Sequence, residues 1–407
     1  MMSRYILMKA STKSSNRPLV AAYYFPNYHA DPRNAAVHGE GWTEWELVRR
    51  ATPRFPGHHQ PLEPLWGYED EADPMVMARK IDAAADHGVD CFIFDWYHYN
   101  DGPFLERCLE QGFLKAPNAD RMKFCCMWAN HDWYDIHPAK RGELTNLLYP
   151  GTVTQSVFDS ICELLIERYF SHPSHLLVEG APYFSIYDVS TLVKSLGGSV
   201  LMARKALDRF RAKVVEAGFP DLHLNAIGWN CGILKGEEGA AMQVEDFQKL
   251  GFDSIGGYIW VHYASLNNTG KSVADYASLR DAYLQAYEKL RNGTTLPVFP
   301  NVTMGWDSTP RTVQSDIWSP DLGYPFTSIM KTSPEGFRQA LTKIREYAEA
   351  DPGFRMVSLN AWNEWTEGSY LEPDEQNGFA YLEAIYSAFG LADKANLVPE
   401  EELASAV

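Results

Sequence analysis

Eight apolar, β-rich runs separated by helical patterns constrain the fold of this 407-residue chain more than any other feature of its sequence. Strands buried on both faces read as nearly continuous apolar runs, and CFIFDW, FCCMWA and YFSIY are of this kind. The predicted strands are Leu19–Phe25, Asp90–Asp95, Lys123–Trp128, Tyr183–Tyr187, His223–Ile227, Ser254–Trp260, Val298–Thr303 and Met356–Ala361. Because strand and helix alternate eight times and no Gly-x-Gly-x-x-Gly follows the first strand, we predict an α/β fold, a single (β/α)8 TIM barrel, rather than an open doubly wound sheet.

The helices between these strands have recognisable starts. Asp73–Pro74 places a capping carboxylate before a proline at the first helical position, and Ser333–Pro334 repeats the arrangement. Met77, Ile81 and Ala84 then recur at the spacing of one apolar helix face. The sequence therefore predicts amphipathic helices that pack against the sheet.

Two of the connections that follow predicted strands are long. About 48 residues separate the first strand from the helix that starts at Pro74, and about 30 follow the seventh strand. Long loops at the carboxyl ends of the strands are where barrels build active sites. We expect a flexible N-terminal segment over residues 1–18, one barrel with long βα loops over 19–395, and a C-terminal tail over 396–407.

The charge of the chain limits its partners. It has 36 basic and 53 acidic residues, which gives a formal net charge of −17. Such a charge repels the phosphates of nucleic acids and the anionic surface of membranes. We therefore expect no nucleic-acid partner and no membrane partner, and the sequence does not indicate the oligomeric state.

The cysteines and the N-terminal residues favour a cytoplasmic location. The apolar patch near the start is only four residues long, too short for a signal peptide, and no apolar run is long enough to span a membrane. No pair of cysteines has Cys-x-x-Cys spacing, and we expect buried free thiols, as in a reducing compartment. The six cysteines are Cys91, Cys108, Cys125, Cys126, Cys162 and Cys231.

All twelve tryptophans fall at the predicted carboxyl ends of strands or in the loops that follow them. For any single tryptophan, packing in the core is the commoner role, but the one-sided distribution of all twelve is harder to explain in that way. A pyranose presents C–H groups on its faces and hydroxyls around its rim, which suits aromatic rings mixed with carboxylates and amides. The tryptophans are Trp42, Trp45, Trp66, Trp96, Trp128, Trp133, Trp229, Trp260, Trp306, Trp318, Trp362 and Trp365.

This distribution predicts a carbohydrate-binding site at the carboxyl ends of the strands, with a carbohydrate as the substrate. Glu44 is the strongest acidic candidate beside the pair described next, although a loop salt bridge would explain it equally well. Trp42 or Trp45 is expected to form a wall of the pocket together with residues that follow the second and third strands. The candidate substrate-binding residues are Tyr24, Trp42, Glu44, Trp45, His59, Asp95, His98, Trp128, Asn130, Trp229, Tyr263, Asn363 and Trp365.

Two glutamates, Glu364 and Glu367, follow the last predicted strand and are the candidate catalytic residues. In a continuing strand, residues three apart would face opposite sides, but a turn, which Gly368 permits, would bring both carboxylates into one pocket. Two acids at one site push their pKa values apart, so one is ionised while the other holds a proton. Glycosidic bond cleavage needs this division of roles. Glu-x-x-Glu alone is a weak signal, and its position after a buried strand strengthens it.

Several segments resemble the glycosyltransferase WbsX-like proteins, which are also described as glycoside hydrolase family 99-like. The resemblance extends over nearly the whole chain. Its motifs are Tyr23–His29 (YYFPNYH), Gly41–Trp45 (GWTEW), Gly57–Pro61 (GHHQP), Trp128–Asn130 (WAN) and Ala361–Gly368 (AWNEWTEG), the last followed by Leu371–Pro373 (LEP). Family 99 enzymes are retaining endo-α-mannosidases on a (β/α)8 barrel, so the resemblance implies an enzyme of the glycoside hydrolase type.

The resemblance also implies roles for the two glutamates. Glu364 would act as the base that deprotonates the sugar 2-hydroxyl, which attacks C1 and forms a 1,2-anhydro sugar, and Glu367 would be the general acid/base. This route requires O2 trans to the leaving group, which favours α-linked manno- or rhamno-configured substrates. The chain has Trp365–Thr366 where the mannosidases usually have Trp-His, and His131–Trp133 (HDW) where the WbsX-like pattern usually has Glu-Asn-Trp.

Two other functions are compatible with parts of the sequence. A glycosyltransferase of polysaccharide biosynthesis, which the WbsX description implies, would need a diphosphate-binding site, usually with a metal held by aspartates, but no Gly-rich phosphate loop or Asp-x-Asp follows a predicted strand. A non-catalytic sugar-binding barrel is disfavoured because both glutamates are present.

The histidine-rich first loop, with His29, His38, His58 and His59, could suggest a metal site. However, it lacks His-Glu-x-x-His and other ligand spacings, so we expect no metal and no cofactor.

Overall fold

The computed structural model describes residues 17–143, 145–229, 231–232, 242–266, 270–350 and 355–390. Most of the predicted N-terminal segment, residues 1–16, and the whole predicted tail, 396–407, lie outside these residues.

Eight strand positions form one nearly closed sheet, in which the long strands run parallel. The strands are β1 Leu19–Tyr24, β2 Cys91–Tyr99, β3 Lys123–Trp128, β4 Ala181–Ile186, β5 His223–Ile227, β6 Ser254–Gly256, β7 Val298–Phe299, β8 Asn301–Thr303 and β9 Met356–Asn360. Their order around the sheet is β7-β6-β5-β4-β3-β2-β1-β9-β8. The predicted barrel is confirmed, since neighbours in sequence are neighbours in space, as parallel βα units require.

The seventh strand position is divided at Pro300. The first half, β7, pairs with β6 through Ile255 and Val298, and the second half, β8, pairs with β9 through Val302 and Leu359. A proline has no N–H to donate to the ladder, so a break at this position is expected. The two halves together complete the ring that the sequence predicted as one strand, 298–303.

The main helices begin where the sequence predicted. Asp73 accepts a hydrogen bond from Met75 N and caps the helix that starts at Pro74, and Ser333 accepts one from Gly336 N and caps the helix that starts at Pro334. The helices are α1 Pro32–His38, α2 Trp45–Arg50, α3 Pro74–Asp86, α4 Gln155–Leu165, α5 Val189–Ser195, α6 Val200–Glu216, α7 Val244–Leu250, α8 Tyr276–Asn292, α9 Pro334–Glu349 and α10 Ala380–Phe389.

Shorter elements occupy the loops. Single helical turns lie at Cys108–Gly112, Phe113–Lys115, Ala119–Arg121, Ile166–Phe170, Trp260–His262, Thr309–Arg311 and Trp365–Glu367. Short strands lie at Gly102–Phe104, Trp133–Tyr134, Leu147–Tyr149, Leu177–Val178, Cys231–Gly232, Met242–Gln243, Val273–Asp275, Asp321–Gly323, Phe326–Thr327, Ile329–Lys331, Asn363–Glu364 and Ser369–Tyr370.

Several predicted strand ends differ from the structure by one or two residues, and the larger differences are these. The second strand continues to Tyr99, because its end pairs with the antiparallel strand Gly102–Phe104. The sixth strand stops at Gly256, and Trp260 begins a short helical turn instead of ending the strand. Trp45 likewise begins α2 rather than lying in an irregular loop.

The core lies inside the ring of strands and between the strands and the helices. The five cysteines whose side chains the structure describes are buried and free, as expected; the sixth, Cys231, falls outside these side chains. Within the described ranges, no helix combines the length and the apolar character that crossing a membrane would require.

Candidate active site

A cavity of about 640 Å³ opens at the carboxyl ends of the strands. Residues from or after all eight strand positions contribute to its wall, and both Glu364 and Glu367 face it. The residues around it are Phe25, Asp95, Tyr97, Met127, Ala129, His131, Asp132, Trp133, Tyr134, Ile136, His137, Tyr187, Trp229, Tyr258, Ile259, Val261, His262, Tyr263, Ser265, Leu266, Trp306, Arg311, Tyr324, Thr327, Glu364 and Glu367.

The two glutamates are brought together by a short hairpin, residues 363–370. Asn363–Glu364 pairs antiparallel with Ser369–Tyr370, and the helical turn Trp365–Glu367 connects the two strands. In a 3₁₀ turn, side chains three residues apart eclipse each other, so this turn places both carboxyl groups on the same side. Gly368 closes the hairpin at φ +60°, in the left-handed region that glycine adopts without strain.

This hairpin is in close contact with the loop that follows β8. Asp307 N donates to the Glu367 carbonyl at 2.5 Å. A Cβ on Gly368 would lie 2.6 Å from the Cβ of Asp307, and one on Gly305 would lie 2.7 Å from the Gly368 carbonyl oxygen. Both glycines are therefore required for the close approach of the two segments.

One arginine from this loop connects the acidic residues of the site. Arg311 Nη1 donates to Glu367 Oε1, and Nη2 donates to Glu364 Oε2 at 3.2 Å. Its Nε donates to Glu44 Oε1 at 2.9 Å. We call these four residues the cavity cluster. All are buried, so a single guanidinium faces three carboxyl groups away from bulk water.

Further hydrogen bonds fix the cavity cluster. Thr366 Oγ1 and Asn27 Nδ2 donate to the two oxygens of Glu44. Tyr324 donates to Glu367 Oε1 at 3.0 Å and also contacts Arg311 at 2.6 Å. Among the described residues, the hydrogen bonds from Tyr324 and Arg311 to Glu367 are both made to Oε1. The other oxygen, Oε2, is therefore left to bind a ligand.

The environment gives the three carboxyl groups different affinities for protons. Burial raises the pKa of Glu364 well above its usual value, and the neighbouring Glu367 raises it further. Burial also raises the pKa of Glu367, although Arg311 and the hydrogen bond from Tyr324 oppose the rise. For Glu44, burial is outweighed by Arg311 and His137, so its pKa lies below the usual value and it is ionised.

A fourth carboxyl group, Asp95, lies in the cavity wall near these three. Tyr258 contacts Asp95 Oδ2 at 2.9 Å and Glu364 Oε1 at 3.2 Å. Burial raises the pKa of Asp95 well above its usual value; the bond with Tyr258 opposes this effect and Glu367 adds to it. Three acids of the cavity wall therefore hold protons more tightly than exposed acids do.

The histidines of the cavity are neutral at physiological pH. Burial lowers the pKa of His137 to about 4 and that of His262 to about 3, and it also lowers the pKa of His131. Neutral imidazoles can donate or accept one hydrogen bond at each nitrogen. They supply polar contacts to the cavity without adding positive charge.

A second group of buried charges supports the hairpin from the side away from the cavity. Lys80 Nζ lies 2.6 Å from Glu71 Oε1 and 2.6 Å from Glu372 Oε1. The indole N–H groups of Trp362 and Trp365 donate to the two oxygens of Glu372 at 3.0 and 2.7 Å. We call Lys80, Glu71 and Glu372 the supporting cluster.

Three of the substrate-binding candidates, Asp95, Trp229 and Tyr263, line the cavity. Residues that follow β3 form part of its wall, as expected for the pocket, but the contribution of the second strand comes from Asp95 and Tyr97 within β2 and not from residues after it. The tryptophans that line it are Trp133, Trp229 and Trp306, not Trp42 or Trp45.

Most of the other candidates pack or brace the fold. Trp128 is fully buried in the main core, and Tyr24 donates to Glu71 at 2.8 Å. Trp45 and Trp365 pack together in a second apolar cluster. The Asn130 side chain holds the backbone of residue 188 through both its oxygen and its nitrogen.

The remaining candidates lie at the edge of the site or outside it. Glu44 lies behind the cavity wall, in the cavity cluster. The Asn363 side chain accepts a hydrogen bond from Phe25 N and donates one to the Phe25 carbonyl. Trp42 stacks on His38 at 4.1 Å between ring centroids. His59 is exposed and borders a separate, smaller cavity. His98 accepts at its carbonyl from the indole of Trp128.

Three residues that contact Glu364 or Glu367 were not predicted as site residues from the sequence: Arg311, Tyr258 and Tyr324. They lie in loops after β6 and β8, where no motif marks them. The length of the loop after the seventh strand was the available signal, since long loops at this end carry site residues. It could not show which of about 30 residues turn inward.

The histidine-rich first loop is hydrogen-bonded to the loop that follows β8. His58 Nε2 and Gln60 Nε2 both lie 2.8 Å from Asp307 Oδ2, which fixes the first loop against the loop after β8. Across the ranges that the structure describes, no three His, Cys, Asp or Glu side chains are arranged to hold a metal ion.

Comparison with solved structures supports the fold. The endo-α-mannosidase of Bacteroides thetaiotaomicron, from glycoside hydrolase family 99, superposes with a TM-score of 0.51 at 14% identity and covers 92% of this chain and 96% of its own. A glycoside hydrolase-like protein superposes with a TM-score of 0.58 at 14% identity over 96% of this chain and 98% of its own. At such low identity these similarities show the barrel fold alone.

Sequence comparison identifies the family. The uncharacterized protein WxcX of Xanthomonas campestris pv. campestris is 27% identical over 386 residues, which cover 91% of this chain but 49% of WxcX. The chain thus spans about half the length of this relative. The family described as Glycosyltransferase WbsX matches residues 20–385. Because this match covers most of its length, the chain belongs to the WbsX glycosyltransferase family.

Proposed function

We propose that the chain is a retaining glycoside hydrolase that cleaves an α-linked, manno- or rhamno-configured oligosaccharide or polysaccharide. The observation that carries the proposal is that Glu364 and Glu367 face one cavity at the carboxyl ends of the barrel strands. Paired carboxyl groups at such a site are the chemical requirement of glycosidic bond cleavage.

The walls of the cavity suit a neutral sugar. Ten of its lining residues are Phe, Tyr or Trp, and their faces can pack on the C–H groups of a pyranose. The polar groups of the wall include Asp95, Arg311, the two glutamates and neutral histidines such as His137. This arrangement combines an apolar surface with a few orienting hydrogen bonds, as small-molecule sites usually do.

The same walls disfavour a nucleotide-sugar donor. A donor of this kind carries two phosphates, which need positive charge or a bound metal. Among the described lining residues, Arg311 is the only lysine or arginine, and three carboxyl groups already contact it. Hydrolysis is therefore better supported than nucleotide-dependent transfer, although the family carries the name of glycosyltransferases.

The proposed roles assign Glu364 as the base towards O2 and Glu367 as the general acid/base. Glu367 Oε2 is the carboxyl oxygen left to meet the leaving group, since Oε1 contacts Arg311 and Tyr324. Attack of O2 on C1 forms the 1,2-anhydro sugar and breaks the glycosidic bond, with the O2 proton passing to Glu364. Glu367 gives its proton to the departing oxygen. When water then attacks C1 and opens the anhydro ring, Glu367 takes the water proton and Glu364 returns its proton to O2.

These roles require that Glu364 is ionised and Glu367 is protonated when substrate binds. Burial raises the pKa of both carboxyl groups, so the pair can retain a proton near neutral pH. A sugar 2-hydroxyl that donates to Glu364 stabilises its carboxylate and lowers its pKa. The shared proton then resides on Glu367, where the proposed general acid needs it.

Aryl glycosides test the proposal directly. We expect release of the phenol from 4-nitrophenyl α-mannoside or α-rhamnoside, and no release from their 2-deoxy analogues or from the β-anomers. Retention at C1 is measured by NMR of the first product formed. Normal turnover of a 2-deoxy glycoside would exclude the anhydro route. Sugar transfer from a nucleotide diphosphate donor, with no hydrolysis of any aryl or polymeric α-glycoside, would exclude the hydrolase itself.

A further inference from the structure

Asp95 is a buried carboxyl group for which the proposed mechanism has no role. It lies within β2, is 3% exposed and borders the cavity. Its Oδ2 contacts the hydroxyl of Tyr258, while its Oδ1 is buried without a hydrogen-bond partner among the described residues. A buried carboxyl oxygen without a partner is costly unless a ligand meets it or the group is protonated.

Tyr258 stands between two carboxyl groups. Its hydroxyl oxygen lies 2.9 Å from Asp95 and 3.2 Å from Glu364. A phenol hydroxyl has one hydrogen, so it can donate to only one of the two. The other contact needs a hydrogen from the carboxyl side. The three groups therefore form a chain in which either Asp95 or Glu364 is protonated.

The neighbours decide which carboxyl group holds this proton. Glu364 lies 3.2 Å from Arg311, which favours its ionised form. No lysine or arginine of the described chain forms an ion pair with Asp95. The groups that face it are Tyr23 from β1, Tyr97 from β2, Tyr187 after β4, Tyr258 after β6, and Glu364 and Glu367 after β9. Each of these groups is neutral or negative, so the proton belongs on Asp95.

We propose that Asp95 acts as a protonated positioning residue, which donates to Tyr258 and so makes the tyrosine hydroxyl donate to Glu364. This inference rests on the proposed function, because it assigns Glu364 the role of base. The chain runs from the Asp95 carboxyl to the Tyr258 oxygen and from the Tyr258 hydrogen to Glu364 Oε1.

The chain has two consequences for the site. A donated hydrogen bond stabilises the Glu364 carboxylate in the crowded acidic cavity and holds Oε1. Glu364 Oε2, which Arg311 contacts at 3.2 Å, is then the oxygen directed to the sugar 2-hydroxyl. Asp95 Oδ1 can accept a hydrogen bond from a second sugar hydroxyl, which would satisfy the unpartnered atom.

The protonation state of Asp95 can be measured without substrate. Aspartate labelled with ¹³C at the carboxyl carbon is observed by NMR between about pH 4 and pH 9. We expect one aspartate signal that still has the chemical shift of a protonated carboxyl at neutral pH, and we expect Asp95→Asn to remove only that signal. If every aspartate titrates in its usual range, the proposal is wrong, whether or not the chain hydrolyses glycosides.

Kinetics on 4-nitrophenyl α-mannoside and α-rhamnoside then test the positioning role. In Asp95→Asn the amide N–H replaces the carboxyl hydrogen as donor to Tyr258, so kcat/KM should stay within about 5-fold of wild type. Asp95→Leu cannot donate and should lose about 10- to 100-fold.

Tyr258→Phe provides the control for the route. It should lose about as much activity as Asp95→Leu, and the double variant Asp95→Leu/Tyr258→Phe should be no worse than Tyr258→Phe alone. Equal losses in Asp95→Asn and Asp95→Leu would show that an ionised Asp95 is required and would overturn the proposal. An absence of turnover in wild type would instead count against the proposed function, while the NMR result still decides the protonation of Asp95.

Discussion

The hairpin at residues 363–370 lies between two buried charge clusters that have similar composition but different surroundings. In the supporting cluster, Lys80 contacts Glu71, Glu372 and the Tyr24 hydroxyl, which accounts for all three of its hydrogens. In the cavity cluster, Arg311 faces three carboxyl groups, two of which border a cavity of about 640 Å³. A buried ion pair is thus not in itself a sign of function, whereas an excess of acid at a cavity is.

The pKa values show the same difference. Burial would lower the pKa of Lys80, but Glu372 and Glu71 raise it above its usual value, so the lysine is charged throughout the physiological range. In the cavity cluster, Glu44 is ionised while Glu364 and Glu367 hold protons more tightly than exposed glutamates. The supporting cluster therefore keeps a fixed charge, and the cavity cluster is able to exchange protons.

Removal of the proposed general acid should have the largest effect. Glu367→Ala should lower kcat/KM by about 10²–10⁴-fold on a substrate with a poor leaving group, the usual contribution of general acid catalysis. A 2,4-dinitrophenyl glycoside, whose leaving group needs no proton, should recover most of this loss. Glu364→Gln should be inactive on both substrates, because the internal nucleophile is then not activated.

The matched variant in the supporting cluster is Glu372→Gln. Any activity that it loses should be the same for both leaving groups, since Glu372 contacts the hairpin and not the substrate. Rescue of Glu364→Gln rather than Glu367→Ala by the good leaving group would reverse the two assignments.

Lys80→Met should mainly change stability. It leaves Glu71 and Glu372 buried without their cation, and breaking a buried ion pair in this way costs about 3–5 kcal/mol of unfolding free energy. Urea unfolding measures the loss, and Lys343→Met provides a control, because Lys343 forms an exposed pair with Asp281. A loss below about 1 kcal/mol would show that the supporting cluster does not stabilise the fold.

Acidification should affect the cavity cluster through His137, since the supporting cluster contains no histidine. The Nε2 of His137 lies 3.7 Å from Glu44 Oε1, and burial lowers the pKa of His137 to about 4. The folded state thus favours the neutral imidazole, a stabilisation that is complete above about pH 6.5 and is lost as the pH falls towards about 4.

The variant His137→Gln should remove this contribution. The unfolding free energy should then fall less steeply with acid over this range, by up to about 1.4 kcal/mol per pH unit. Equilibrium urea unfolding at several pH values measures the slope, with His59→Gln at an exposed position as the control. An unchanged slope in His137→Gln would show that this imidazole is not held neutral by the fold.

The smallest effect is expected from Tyr324→Phe at the rim of the cavity. The Tyr324 hydroxyl donates to Glu367, and this bond lowers the pKa of Glu367. Its loss should raise that pKa, so the alkaline limb of the kcat profile, set by ionisation of the general acid, should move to higher pH. At neutral pH, kcat should change by less than about 10-fold, the worth of one hydrogen bond. A shift to lower pH would contradict the assignment of Glu367 as the acid.

The barrel could be predicted from the sequence because strand order in a parallel barrel follows chain order. The order of apolar runs such as CFIFDW along the chain is therefore also the order of the strands in the sheet. Asp73 and Ser333 predict where helices start, because their side chains can cap the first turn. The break at Pro300 was not predicted, although a proline inside a strand indicates one. Which neighbour each half-strand pairs with depends on the tertiary structure and could not be predicted.

Only the part of the candidate site that is formed by residues close together in the sequence could be predicted. Glu364, Glu367 and Gly368 lie within five residues, so a turn among them can be inferred from the sequence. Trp128 is the last residue of β3 and Trp229 lies two residues after β5, yet Trp128 is in the core and Trp229 lines the cavity. Alternate residues of a strand face opposite sides, and a shift of one position near its end reverses the direction of a side chain. Contacts such as that of Arg311 with Glu44 join loops more than 260 residues apart, and no local pattern records them.

The close backbone contact between Gly305, Asp307 and Gly368 fixes the spacing of the two loops that carry the charged groups of the cavity. A single added methyl group would separate the segments that carry Arg311 and Glu367. In the loop after β3, a Cβ on Gly151 would likewise lie 2.5 Å from the carbonyl carbon of His131, a residue of the cavity wall. At both places the rim depends on close backbone contacts that a larger residue would break, so substitution of any of these glycines should distort the cavity even though none of them lines it.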